Sequence, residues 1–226
     1  MILKALYDYY NRCGNLPAFG MEEKEIGFVI VISKEGKFVR FEDCRLDSKQ
    51  ARTYLVKKHV GRSSAIVANY LYDNSSYVLG YAENEKAKKD VEEQTKKRSD
   101  KENACLEAFK EKVDSIYKVY PENNDLAAIC KFYQQSKEDI LASISQDSLW
   151  EEIKKNLSKK YSTFSFRIDG DLKIVAEKKE ILQLEYSEDD NKGNGFCLIT
   201  GNKGITVDTT TATMIPGSQA TAKLVA

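Results

Sequence analysis

Positive charge without neighbouring carboxylates is the feature of this sequence best suited to binding another molecule. The window between Asp47 and Asp73 contains no acidic residue. Its cationic residues are Lys49, Arg52, Lys57, Lys58 and Arg62. Lysine and arginine neutralise phosphates and release the counterions condensed on a nucleic acid, so such a window is typical of a site for a nucleic-acid backbone.

Short polar side chains follow the cations and can hydrogen-bond to base edges or phosphates. Gly61 adds a position where a backbone can approach closely, because it has no side chain. The candidate DNA-binding residues are Lys57, Lys58, Gly61, Arg62, Ser63, Ser64, Asn69 and Asn74. A second interpretation stays open, in which the charges form a solvated face and the two asparagines cap a helix or a turn.

The elements that must position this window are predicted to form an α+β unit with a small antiparallel sheet in residues 1–82. Apolar residues at helical spacing predict a short opening helix. Gly36 joins two predicted strands as a hairpin. The extended segments are Ile26–Ile32, Phe38–Phe41, Tyr54–Val56 and Tyr77–Tyr81, the last being a strand or a tight connection.

The rest of the chain divides into a helical region, residues 83–160, and a β-containing segment, residues 161–226. Apolar residues in the helical region recur at 3, 4 and 7 positions, which predicts amphipathic helices. Phe164–Ile168 and Leu172–Ile174 predict a second hairpin. We expect the last segment to pack on the N-terminal sheet, and the fold class to be α+β.

Composition sets limits on the environment and the partners of the chain. Lysine and arginine together number 35, equal to aspartate and glutamate, so any nucleic-acid site must be local. The five cysteines are widely spaced without a C-x-x-C pair, which favours reduced thiols and a cytoplasmic location. No apolar run approaches the roughly 20 residues that span a bilayer, so we expect no membrane partner.

Nothing in the sequence predicts a catalytic residue, a metal or a cofactor. His59 is the only histidine, and no cysteine has the setting of a nucleophile. A zinc site would lack enough ligands unless the cysteines come together when the chain folds. The acidic run Glu188–Asp190 is a candidate for Mg²⁺, but adjacent carboxylates in a loop rich in glycine and asparagine are usually solvated.

Several separated segments resemble the N-terminal portion of the large subunit of type I-C CRISPR surveillance complexes (Cascade), the Cas-eight family. The most informative segment runs from Arg62 to Gly80. Others are Met1–Tyr10, Ile26–Ile32, Cys197–Gly201 and Ile215–Gln219, in the same order as in the family.

This resemblance implies a non-catalytic role in RNA-guided antiviral defence. A subunit of this kind binds double-stranded target DNA at the protospacer-adjacent motif and scaffolds the foot of the complex. Its partners are the other Cascade subunits and the guide RNA, whose base pairing reads the long sequence. The resemblance also implies an N-terminal fragment of a longer subunit. The chain departs from the family at Thr209–Thr213, where a histidine is usual, so no role is carried over to residues 202–214.

Two alternatives to DNA recognition stay open at this point. In the first, the chain is a structural adaptor whose basic loop binds a protein or the guide RNA and reads no DNA. In the second, it is a metal-dependent nuclease built on Glu188–Asp190.

Overall fold

A run of five apolar residues, β2 (Phe28–Ile32), lies at the centre of the fold. In the computed structural model all five side chains are buried, as expected for a strand that is covered on both faces. β2 pairs antiparallel with β3 (Phe38–Asp43) and parallel with β6 (Thr163–Ile168). β6 also pairs antiparallel with β5 (Tyr72–Asn74), so the sheet order is β3-β2-β6-β5.

The described residues belong to two units. One unit, residues 1–16 and 185–226, contains α1 (Ile2–Arg12) and the antiparallel pair β7 (Asn194–Phe196) and β8 (Lys203–Ile205). The other unit, residues 17–184, contains the remaining elements. The structure describes residues 2–14, 16–18, 20–62, 65–82, 92–184, 194–196 and 203–205.

A second, two-stranded sheet is formed by one strand before the β2–β3 hairpin and one strand after it. β1 (Met21–Glu25) pairs antiparallel with β4 (Thr53–Lys57), with Met21 opposite Lys57. Gly27 joins β1 to β2 and donates its N–H to the Tyr161 carbonyl at 2.9 Å. A Cβ at Gly27 would lie 2.5 Å from that carbonyl oxygen, so the close approach requires glycine.

Helices between β5 and β6 cover the aromatic face of the central sheet. They are α2 (Ser75–Val78), α3 (Glu92–Val119), α4 (Asn124–Tyr133), α5 (Lys137–Ile144) and α6 (Trp150–Lys154). Ring contacts tie this layer to the strands. The Phe166 centroid of β6 lies 5.7 Å from Phe132 and 6.4 Å from Phe109, and Phe41 of β3 stacks on Trp150 at 5.8 Å.

The predicted second hairpin is wrong. β6 pairs with β2 and β5, and residues 172–174, which the structure describes, form no strand. Leu172 is 95% exposed and has no apolar face to join, whereas Val175 and Ala176 are buried in a short 3-10 helix, Val175–Glu177. α7 (Lys179–Leu182) follows.

The segment Tyr77–Tyr81 does not begin as a strand or a tight connection. Its first two residues, Tyr77 and Val78, are the last two residues of α2. Asn74 begins this helix, and its side chain accepts the Ser76 N–H at 3.1 Å. An asparagine in this position satisfies a backbone donor that the first turn leaves unpaired. The interpretation of Asn74 as a helix cap is therefore confirmed.

The larger predictions of the fold are confirmed. The chain is α+β, with strands near its N-terminus, a small antiparallel β2–β3 hairpin and a helical middle region. None of the described helices combines the length and the apolar character that crossing a membrane requires.

Candidate nucleic-acid interface

The β4–β5 loop, residues 58–71, carries most of the predicted site. It begins where the Lys58 N–H donates to the Gly20 carbonyl at 2.8 Å. It ends at Leu71, which is buried and has a φ of 64°. A non-glycine residue in this region costs about 1–2 kcal/mol, so its surroundings must hold it there. The Ser165 hydroxyl helps to do so by donating to the Leu71 carbonyl at 3.0 Å.

Asp73, only 2% exposed, fastens the loop to the sheet. Its Oδ1 accepts from Arg62 Nη1 at 3.0 Å, and its Oδ2 accepts from Arg62 Nη2. The backbone N–H groups of Asn69 and Asn74 each donate to this carboxylate at 2.9 Å. A buried carboxylate is tolerated only with partners of this kind, since desolvation of the charge costs several kcal/mol.

The remaining contacts of Arg62 are also internal. Its Nε donates to the Val67 carbonyl at 2.6 Å, and its guanidinium lies 4.0 Å from the ring centroid of Tyr77. Burial is the largest single effect and lowers the pKa of Arg62, but the hydrogen bond and the negative charge of Asp73 together outweigh it, and the pKa is raised above its ordinary value. Arg62 therefore stays charged and acts as the clamp of the loop.

The side chain of Asn69 has a structural role in the loop. Asn69 is buried, and its Oδ1 accepts the Val60 N–H at 2.9 Å across the loop. This hydrogen bond joins the two arms of the loop, so Asn69 holds the loop together without capping a helix or a turn. Asn74 stands at the end of β5, where its Oδ1 is used for the α2 cap but the residue remains exposed.

Lys57, the last residue of β4, is anchored within the protein. Its ammonium donates to the Leu184 carbonyl and lies 5.3 Å from the ring centroid of Tyr70. A lysine held by a carbonyl and an aromatic face contributes to packing as well as to charge.

Two predicted residues, Lys58 and Gly61, lie at the surface of the loop and are exposed. Ser63 and Ser64 lie outside the described residues. The structure thus gathers Arg62, Asn69 and Asn74 around one buried carboxylate, with Lys58 and Gly61 on the accessible side.

Acidic residues from a distant part of the sequence lie beside the basic window. β1, the partner of β4, contributes Glu22, whose Oε2 is 2.6 Å from His59 Nδ1. Glu22 Oε1 accepts from the Tyr72 hydroxyl at 3.1 Å. Burial, and then the charge of Glu22, raise the pKa of Tyr72 above its ordinary value. The window is free of acids along the sequence but not in space.

Sequence reasoning missed the central residue of this arrangement, Asp73. A signal for it exists, because Asp73 is the first carboxylate after the basic window and directly follows the apolar residues Tyr70–Tyr72. A carboxylate next to such a run is buried when the run is buried, and a buried carboxylate requires a cation.

A metal site does not form within the described part of the chain. There, no three side chains from histidine, cysteine, aspartate or glutamate lie close enough to hold an ion. The acidic run Glu188–Asp190 lies outside the described residues.

Comparison with known families decides the identity at the family level. A model described as CRISPR-associated protein (Cas_Csd1) matches residues 6–226. The chain belongs to this family. The resemblance to the type I-C large subunit is thereby confirmed, and the Cas_Csd1 family relates the chain to Cascade. Among curated proteins, none matches the chain.

The clamp of this Cas_Csd1 family member leads to a prediction about stability. Arg62→Met removes the charge and leaves the Asp73 carboxylate buried and unpaired, so the free energy of unfolding should fall by about 3–5 kcal/mol. Urea denaturation measures this loss. Arg40→Met is the matched control, because the ion pairs of Arg40 with Glu42 and Asp169 are exposed and should contribute below about 1 kcal/mol. Equal losses in the two variants would contradict the clamp.

Proposed function

We propose that this chain is a non-catalytic, DNA-recognising part of the type I-C large subunit. In this proposal the β4–β5 loop contacts double-stranded DNA at the protospacer-adjacent motif. The chain also scaffolds the foot of a cytoplasmic complex with the other Cascade subunits and the guide RNA. Membership of the Cas_Csd1 family is the observation that carries the proposal.

The way in which the loop is held supports a reading function. Arg62 and Asn69 fix it from inside, through Asp73 and Val60, while Gly61 remains exposed. A loop that is ordered before binding loses little conformational entropy on contact with DNA. Such a loop is suited to testing a short motif, whose few contacts cannot compensate for ordering a flexible segment.

The cations of the window have different roles in this proposal. Lys57 and Arg62 use their charge within the protein, which leaves Lys58 as the exposed cation of the loop for a phosphate. Glu22 lies nearby and weakens the attraction for phosphate at longer range. In this proposal the loop therefore contributes more to the position of the duplex than to the affinity for it.

The internal contacts of the predicted residues also favour the second candidate function, a structural adaptor. Lys57, Arg62 and Asn69 would hold the same loop in shape for a protein partner or for the guide RNA. DNA binding by the assembled complex separates the two candidates.

Lys58→Ala should weaken binding of the assembled complex to duplex DNA about equally for all flanking sequences. Loss of one phosphate contact should reduce the slope of log affinity against log salt by roughly 0.9. Lys49→Ala is the matched control, since it removes the same charge from the turn before β4, at the other end of that strand from Lys58. Unchanged duplex affinity and slope in the Lys58 variant, with weaker guide RNA binding, would favour the adaptor.

Base discrimination is expected from Ser64, in the segment that resembles the family, and not from the buried Asn69. Ser64→Ala should cost roughly 1–3 kcal/mol on the preferred motif and much less on a wrong one, which narrows the discrimination ratio. Asn69→Ala should instead lower the melting temperature and weaken all duplexes equally, because its side chain holds Val60. Affinity for right and wrong motifs, measured beside thermal stability, tests both. A selective loss from a stable Asn69 variant would reverse these roles.

The non-catalytic part of the proposal has its own test. Chelation of divalent cations with EDTA should leave duplex binding unchanged, and added Mg²⁺ or Mn²⁺ should produce no cleavage. Gel electrophoresis of labelled DNA and RNA measures both. Metal-dependent cleavage that is abolished by substitution of Asp189 and Asp190 would establish the nuclease alternative.

A further inference from the structure

A cavity of about 410 Å³ lies beside the β4–β5 loop, against α2 and the N-terminal half of α3. This volume is within the range of sites for small ligands, about 300–1,000 Å³. The loop contributes Arg62 and Ile66, and α3 contributes Arg98 and Lys101. The cavity is therefore separate from Lys58, although Arg62 belongs to both the loop clamp and the cavity wall.

The charge of the lining favours an anion. Arg98 and Lys101 are cationic, and Glu102 is the one carboxylate among the lining residues that the structure describes, whereas the charge of Arg62 is already paired with Asp73. Arg98 and Lys101 are exposed on α3, one turn apart, so both can reach a single group at the mouth of the cavity. Arginine and lysine in this arrangement suit a phosphate, which accepts charge-assisted hydrogen bonds.

The rest of the lining combines hydrogen-bond donors with a flat, partly apolar wall. Asn74 lines the cavity and uses its Oδ1 for the Ser76 N–H, so the hydrogen-bonding group that it can add to the lining is the side-chain NH2, a donor. Ile66 is apolar, and the Arg62 guanidinium lies on the Tyr77 ring at 4.0 Å. Planar guanidinium groups and aromatic rings stack with unpaired bases.

We propose that this cavity binds one unstacked nucleotide, with its phosphate at Arg98 and Lys101 and its base against Ile66 and the Arg62–Tyr77 pair. The inference deepens the proposed function and rests on it for the source of the nucleotide, which is a nucleic-acid strand. A free nucleotide has the same chemistry, and the experiment separates the two sources.

The test uses the full-length protein and three probes: thymidine monophosphate, a labelled single-stranded thymidine pentamer, and a pentamer whose central base is removed. The normal pentamer should bind more tightly than the abasic one, because stacking is lost with the base. Lys101→Ala should lower pentamer affinity about tenfold, as expected for one charge-assisted contact. Fluorescence anisotropy measures both effects.

Lys118→Ala is the matched control, because it removes the same exposed charge from α3 at about 25 Å from Lys101 along the helix. Ala65→Phe fills the cavity from an exposed position outside the clamp, and should abolish the difference between the normal and abasic pentamers. Circular dichroism of each variant verifies its folding.

The outcomes show whether the bound nucleotide belongs to a strand or is free. They also test this inference separately from the proposed function. Pentamer binding that is lost in the cavity variants supports a nucleotide from a strand, and thymidine monophosphate binding lost in the same variants supports a free one. Equal binding of normal and abasic pentamers, or normal binding by the folded Lys101 and Ala65 variants, overturns the inference. Duplex binding that remains sensitive to Lys58→Ala would then leave the proposed function intact.

Discussion

The ion pair between the half-buried Arg62 and the buried Asp73 is the constraint on which the candidate interface depends. It joins an irregular loop to β5, and through the neighbouring Asn74 it also fixes the start of α2. The carboxylate is almost completely removed from water, so it requires the guanidinium and both backbone donors at once. This requirement selects one conformation for the described residues of the loop, including the left-handed backbone of Leu71. The order of the loop thus follows from the cost of an unpaired buried charge.

Local periodicity accounts for the parts of the fold that the sequence predicts. The apolar run of β2, the Gly36 turn and the helical spacing of the middle region each depend on neighbouring residues. The place of β6 depends instead on a strand more than 130 residues away, with Phe28 beside Phe164 in a parallel pair. A local pattern cannot show whether Phe164–Ile168 turns back on itself or joins another strand, and the prediction of a second hairpin is wrong for this reason.

The electrostatic potential of the candidate site likewise depends on residues that are distant in the sequence. Absence of carboxylates along residues 48–72 predicts a positive surface only if no other strand brings acids to it. The register of β1 against β4 brings Glu22 to His59 and Tyr72, and this register has no signature within the window. The residue types in the window correctly indicate that several of its polar side chains cluster in space. Their roles depend on burial, because a buried arginine or asparagine is used by the protein before any ligand can use it.

The cations have different roles because they differ in burial. Lys57 and Arg62 stabilise the loop, whereas Lys58 on the loop and Arg98 and Lys101 on α3 are exposed. Arg62 connects the two groups, since it clamps the loop and also lines the cavity beside α3. If the chain binds DNA as proposed, a substitution at Arg62 would therefore reduce DNA affinity by disturbing the loop even if its guanidinium never touched DNA. Loss of binding by itself cannot assign a contact to a buried cation. Only exposed cations, whose removal leaves the fold unchanged, can test whether and where the proposed nucleic acid binds.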